Sequence, residues 1–270
     1  MGSERGRVGI YIDLHDVRTD GGRSSWQDVR KMAREAERIG CDSLWFSDRL
    51  QVGNVGVWES TTMVAAVAAV TDRVTIGTLV TRSIYRNPAL LAKIADSIDE
   101  ISAGRFILGL GAGSNAGDQA QFGYPTDHRI SRFEEALQIT HALLRTGTVA
   151  YSGAYYRAEG AILKPRGPRP NGPPIAIAAT GPRMMRLAAR YADSWHCLVL
   201  PTTPESLQPH IGAMEAACVA EQRDPGTLRR MAVLLLATSP GFPHPYGDAV
   251  SGAPEQIAER IQRFFDYGFD

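Results

Sequence analysis

Four short stretches of this chain hold residue types able to do chemistry, each at the end of an apolar run. Asp13-Leu14-His15 closes the run from Val8 to Leu14, and Asp48-Arg49 follows the run from Asp42 to Phe46. Ile101 to Ser114 ends in a turn where Gly109, Gly111 and Gly113 leave the backbone bare. Thr180-Gly181-Pro182-Arg183 joins an apolar run to a helix start, so the amides of Arg183 and Met184 would donate from the positive end of a helix dipole. A carboxylate beside an imidazole suggests metal ligation, and bare amides suggest anion binding. Each stretch also has a plainer use: a polar lining residue, a salt-bridged loop, a turn that needs glycine dihedrals, an ordinary helix cap.

Several chemistries lose ground on spacing. Gly109-x-Gly111-x-x-Ser114 lacks the third glycine of a dinucleotide fingerprint, and Asn115 to Ile130 reads as loop where that fingerprint needs a helix. Only one histidine follows the first run, and His128, His141, His196, His210 and His244 show no zinc-binding spacing, so no metal is expected. His196 lies inside an apolar run and suits a core histidine. No Gly-x-Ser-x-Gly, Walker or Cys–His arrangement occurs. A site with few acid–base groups suits chemistry carried by a cofactor.

Positioning these stretches requires alternating strands and helices. The runs Val8–Leu14, Asp42–Phe46, Val74–Val80, Phe106–Leu110, Pro174–Ala179, Asp193–Val199 and Arg229–Ala237 read as strands, the first and fourth buried. Ser25 with Asp28 and Gly40 bound a first helix; Asn87-Pro88 starts another that ends by Gly104. Ser131 and Glu134 form a capping box for a helix lining up Phe133, Leu137 and Leu144 and stopping at Gly147. Val149 to Leu163 reads as a hairpin. Thr203-Pro204 and Pro254 open the last helices. Seven strand–helix repeats imply a parallel sheet and favour a (β/α) barrel. The eighth strand should begin near Phe269, so an eighth βα unit is expected beyond this chain, or something else to cover the gap.

Lys plus Arg equals Asp plus Glu at 29 each, so no net field favours nucleic acid or an anionic membrane. No apolar run approaches the ~18 residues of a membrane span. Cys41, Cys197 and Cys218 are odd in number and far apart, and Met1 to Arg7 is polar, which together fit a cytoplasmic location.

The chain resembles the luciferase-like monooxygenase superfamily, especially its branch using the deazaflavin coenzyme F420. The likeness is carried by Asp42–Leu50, Arg73–Lys93, Ile101–Ser114 and Ile175–Trp195 with the spacing between them. It implies a TIM (β/α)8 barrel spanning 1–270 as one domain, with excursions at about 114–130, 149–173 and 239–252. It implies a flavin at the carboxyl ends of the strands, with a non-prolyl cis peptide at Leu79-Val80 between Thr78 and Thr81. The cofactor phosphate would lie near Gly111, Gly113 and Ser114, and near Thr180, Gly181, Pro182 and Arg183. Two departures stand out: Arg49 replaces a histidine many relatives carry, and Ser114 replaces a glutamate. The expectation is an F420-dependent oxidoreductase moving a hydride to or from a small organic substrate, with Asp13, His15, Asp48 and Arg49 near the chemistry. The alternatives are an FMN-dependent monooxygenase and a non-catalytic flavin-binding protein. Phe242, His244 and Tyr246 are candidates for a lid or for a plain surface loop. A homodimer is also implied.

Overall fold

The computed structural model describes residues 6–16, 22–113, 116–200, 202–234 and 252–270. The described chain packs as two compact units, one within Val8–Ile175 and one within Ala176–Asp270.

The first unit is built on parallel strands β1 (Gly9–Tyr11), β2 (Ser43–Phe46), β5 (Thr75–Thr78) and β7 (Phe106–Gly111), hydrogen-bonded in that order. Register pairs Tyr11 with Trp45, Trp45 with Gly77, and Gly77 with Ile107. Between them lie α1 (Trp26–Ile39), the small hairpin β3 (Gln51–Val52) and β4 (Val55–Gly56), α2 (Ser60–Ala68), β6 (Thr81–Arg82) and α3 (Pro88–Ile101). After β7 come α4 (Ala116–Gln121), α5 (Arg129–Thr146) and the antiparallel pair β8 (Thr148–Ser152) and β9 (Arg157–Ile162). Phe46, Ile76, Phe106, Leu108 and Leu110 are fully buried, as residues of central strands with helix-covered faces should be.

Local chemistry sets the helix boundaries. The Ser25 amide donates to the Asp28 carboxylate at 2.9 Å, and Gly40 ends α1 at φ 92°. Asn87 Oδ1 accepts from the amides of Ala89 (2.9 Å) and Leu90 (3.3 Å), with Pro88 at the first position of α3. Two side chains tie helices to strands. Glu37 on α1 accepts from the amides of Asp72, Arg73 and Val74, just before β5. Arg105 donates to the carbonyls of Ala68, Thr71 and Val74. Farther along, Glu135 on α5 accepts from the amides of Ala154, Tyr155 and Tyr156 at the tip of the β8–β9 hairpin.

The second unit is entered through β10 (Ile175–Ala178) and continues with α6 (Pro182–Tyr191), β11 (Ser194–Cys197), α7 (Pro204–Ala220), β12 (Arg229–Ala232) and α8 (Pro254–Asp266). Its strands are parallel, Ala178 level with His196 and Cys197 with Ala232. The buried Trp195 donates from Nε1 to the Ala179 carbonyl at 2.8 Å.

All seven anticipated strand–helix units are present, and no helix among the described residues is long and apolar enough to cross a membrane. Three expectations need correction. The first run is buried only at its end: Ile12 and Leu14 are buried, but Val8, Ile10 and Tyr11 are exposed, because among the described residues β1 has a strand neighbour only in β2. The 115–130 segment is not all loop, since α4 forms there on a tertiary contact: its Asp118 is buried in an ion pair with Arg82 at 3.1 Å. And α5 begins at Arg129 after His128 at φ 47°, so Ser131 and Glu134 lie inside the helix and do not cap it. Ser114, Leu235–Ala237, Phe242, His244 and Tyr246 lie outside the described residues.

Candidate active site

Within the first unit the parallel register brings four strand ends to one edge. Asp13 and His15 follow β1, Ser47-Asp48-Arg49 follow β2, Leu79 to Thr81 follow β5, and Ala112-Gly113 follow β7. In parallel α/β sheets this carboxyl edge is where ligands bind.

The polar groups there divide into those already engaged and those left without partners. Asp48 is engaged. Its side chain is 1% exposed and takes two bonds from Arg86, at 2.7 and 3.0 Å, and one from the Arg82 amide at 2.9 Å. Arg86 also pairs with Glu59, which caps α2 by accepting from the amides of Thr61 and Thr62. Burial alone would lower the pKa of Arg86; Asp48 and Glu59 outweigh it and hold the guanidinium charged. Burial likewise pushes Glu59 up, but its bonds from Thr62 and Arg86 hold it at about 2. Asp48 therefore serves as a structural anchor with its lone pairs occupied. Arg86 and Glu59 are absent from the sequence-derived set, and neither residue type nor spacing marks them.

Thr78 is engaged too. Its Oγ1 donates to the Gly109 carbonyl at 2.8 Å and accepts from the Gly109 amide at 3.0 Å. A Cβ at Gly109 would collide with the Thr78 carbonyl oxygen, so this close strand approach needs glycine. Gly113 sits at φ 74° with its carbonyl accepting from Arg129 at 2.7 Å; a Cβ there would lie 2.7 Å from Gln119 Nε2. The peptide between Leu79 and Val80 is cis, at the position implied by the family resemblance.

Among the described residues three polar atoms at this edge lack partners: Ser47 Oγ, Arg49 Nε and Thr81 Oγ1 are buried and make no hydrogen bond there. Burying an unpaired polar atom costs about 1–3 kcal/mol, so a ligand that supplies partners would be favoured at this edge. His15 completes the set: its Nδ1 lies 3.0 Å from Asp13 Oδ2, with the two side chains 28% and 50% exposed.

In the second unit, α6 starts with Gly181 as N-cap in extended conformation and Pro182 at the first position. No side chain caps it, and a Cβ at Gly181 would meet nothing within 4 Å. An uncapped helix start with room before it can accept an anion. His196 in β11 is buried, and burial pushes its pKa down to about 4, so it is neutral at physiological pH. Among the described residues no cluster of three His, Cys, Asp or Glu could hold a metal ion.

The family model described as luciferase-like monooxygenase matches residues 8–240. The chain is 32% identical over 234 residues to the F420-dependent hydroxymycolic acid dehydrogenase of Mycobacterium tuberculosis, covering 84% of this chain and 61% of that protein. It is 32% identical over 208 residues to the 4-hydroxyprotoasukamycin monooxygenase of Streptomyces nodosus subsp. asukaensis, covering 75% of this chain and 55% of that one. The chain thus spans 55–61% of the length of these two curated relatives. A solved F420-dependent secondary alcohol dehydrogenase, in complex with an F420–acetone adduct, shares its fold with a TM-score of 0.82. That likeness covers 98% of this chain and 92% of the other at 19% identity.

Proposed function

The chain belongs to the luciferase-like monooxygenase family, and from that premise we propose that it is an F420-dependent oxidoreductase acting on a small alcohol or ketone. The observation that carries this is the set of buried, unpartnered atoms on Ser47, Arg49 and Thr81 at one carboxyl edge. Such a set, gathered at a ligand-binding edge, fits a polar ligand that would supply the missing partners. Leu79, Val80 and Thr81 would lie against the deazaflavin ring. The bare backbone at Gly111 and Gly113 would hold its phosphate; in the second unit, the uncapped start of α6 is by itself a place for an anion. The chemistry this cofactor supplies is acceptance or donation of a hydride. Arg49 would orient the substrate oxygen with its guanidinium, while Asp48 and Arg86 fix the backbone on which Arg49 stands. The substrate class is supported by the dehydrogenases among the relatives.

An FMN-dependent monooxygenase is the second reading, favoured by the equal 32% identity to a monooxygenase. Fluorescence titration of the purified protein with F420 and with FMN separates the two. Saturable binding of F420, with FMN weaker, is the expected result. Tight binding of FMN with no response to F420 would exclude the first reading.

A further inference from the structure

We propose that Asp13 and His15 form the proton-transfer pair of this site, an assignment that rests on the deazaflavin reading above. Oxidising a secondary alcohol removes two things. The carbinol C–H pair leaves as hydride to the deazaflavin, and the O–H pair becomes the second bond of the carbonyl, so the hydroxyl proton needs an acceptor. In the reverse direction the same group returns it.

The carboxyl edge holds few groups able to do this. Asp48 has its oxygens filled by Arg86 and the Arg82 amide. A guanidinium such as that of Arg49 offers only donors. Ser47 and Thr81 are hydroxyls and poor bases. Among the described residues this leaves His15, one strand over from Arg49, and its neighbour Asp16; the Asp16 Oδ1 is buried, while the His15 side chain is 28% exposed.

Its geometry suits the task. Asp13 Oδ2 lies within hydrogen-bonding distance of Nδ1, at 3.0 Å, and would hold a proton on that nitrogen, leaving the lone pair on Nε2. The backbone is held on both sides. His15 bridges Val57, the Asp16 amide donates to the Gly56 carbonyl, and the Trp58 amide donates to the Leu14 carbonyl, the last two at 2.9 Å. The β3–β4 hairpin therefore acts as the brace that keeps the imidazole at the edge. At 28% exposure the ring can be reached by a small molecule. His15 is the catalytic residue of the pair, and Asp13 positions it.

The test uses F420-loaded protein with propan-2-ol and decan-2-ol, and the same variants without cofactor. His15→Gln should slow single-turnover hydride transfer by about 10²–10⁴-fold while F420 fluorescence titration is unchanged. Nitrogen-15 NMR of the cofactor-free protein should show the Nδ1–H tautomer at His15. Asp13→Ala should convert it to the Nε2–H tautomer and also slow hydride transfer with F420 affinity unchanged, a joint effect that a merely structural pair would not produce. Unchanged turnover in His15→Gln, or an Nε2–H tautomer in the wild type, overturns the pair and leaves the cofactor reading intact. F420 failing to bind the wild type, or binding with neither alcohol oxidised, overturns both.

Discussion

Replacing Arg86 by methionine should cost about 3–5 kcal/mol, the usual penalty for removing one partner of a buried ion pair. Asp48 would keep only the Arg82 amide at 2.9 Å, with its side chain 1% exposed and its negative charge without a counter-charge. Glu59 adds little, because its side chain is 45% exposed and such pairs contribute no more than about 1 kcal/mol. In a chain of this length each kcal/mol lowers Tm by about 2–4 °C, so the melting point should fall by about 6–20 °C. Urea unfolding followed by tryptophan fluorescence measures the loss directly, read from the midpoint at constant slope. The double variant Arg86→Met with Asp48→Leu removes both charges and should recover much of the loss. It leaves the Arg82 amide without an acceptor, a residual cost of about 1–3 kcal/mol. A single variant losing less than about 1 kcal/mol, or a double variant no better than the single, would refute the assignment of Asp48 as an anchor neutralised by Arg86.

Two further outcomes follow from the packing. His196 has its pKa lowered from 6.5 to about 4, so the unfolded chain binds the proton first as pH falls. Its contribution is complete above about pH 6.5 and is lost as pH drops toward 4, on the order of 3 kcal/mol; His196→Phe should flatten the denaturation midpoint across that window. Gly109→Ala should destabilise by more than about 3 kcal/mol or prevent soluble expression, because the new methyl meets the Thr78 carbonyl oxygen inside the sheet; wild-type-like melting would show that the strands can part.

The fold was legible where local chemistry and tertiary structure agree. Ser25 with Asp28, Asn87-Pro88, Thr203-Pro204 and Pro254 all open helices where sequence places them, because capping is decided within four residues. It failed where distant contacts decide. Ser131 and Glu134 match a capping box, yet α5 extends past them to His128. Gly117 marks a loop, yet α4 forms around it on the buried pair of Asp118 with Arg82. The exposure of β1 depends on which strands flank it, which no window of its own residues contains. For the site, Asp48 was found but not its use. Whether a carboxylate at a strand end is a base or an anchor depends on Arg86, 38 residues away. The bond of His15 to Asp13 is local and was within reach of sequence; the orphaned Oγ1 of Thr81 was not.

The grip of Glu135 on the β8–β9 tip has an evolutionary consequence. The carboxylate holds three main-chain amides and asks nothing of the side chains attached to them. Substitutions at the exposed Ala154 other than proline should therefore drift freely while the tip keeps its place, whereas Tyr155 is also held by its ring, 4.4 Å from the Arg132 guanidinium. Descendants of this chain can vary the surface displayed there without renegotiating how it is fastened.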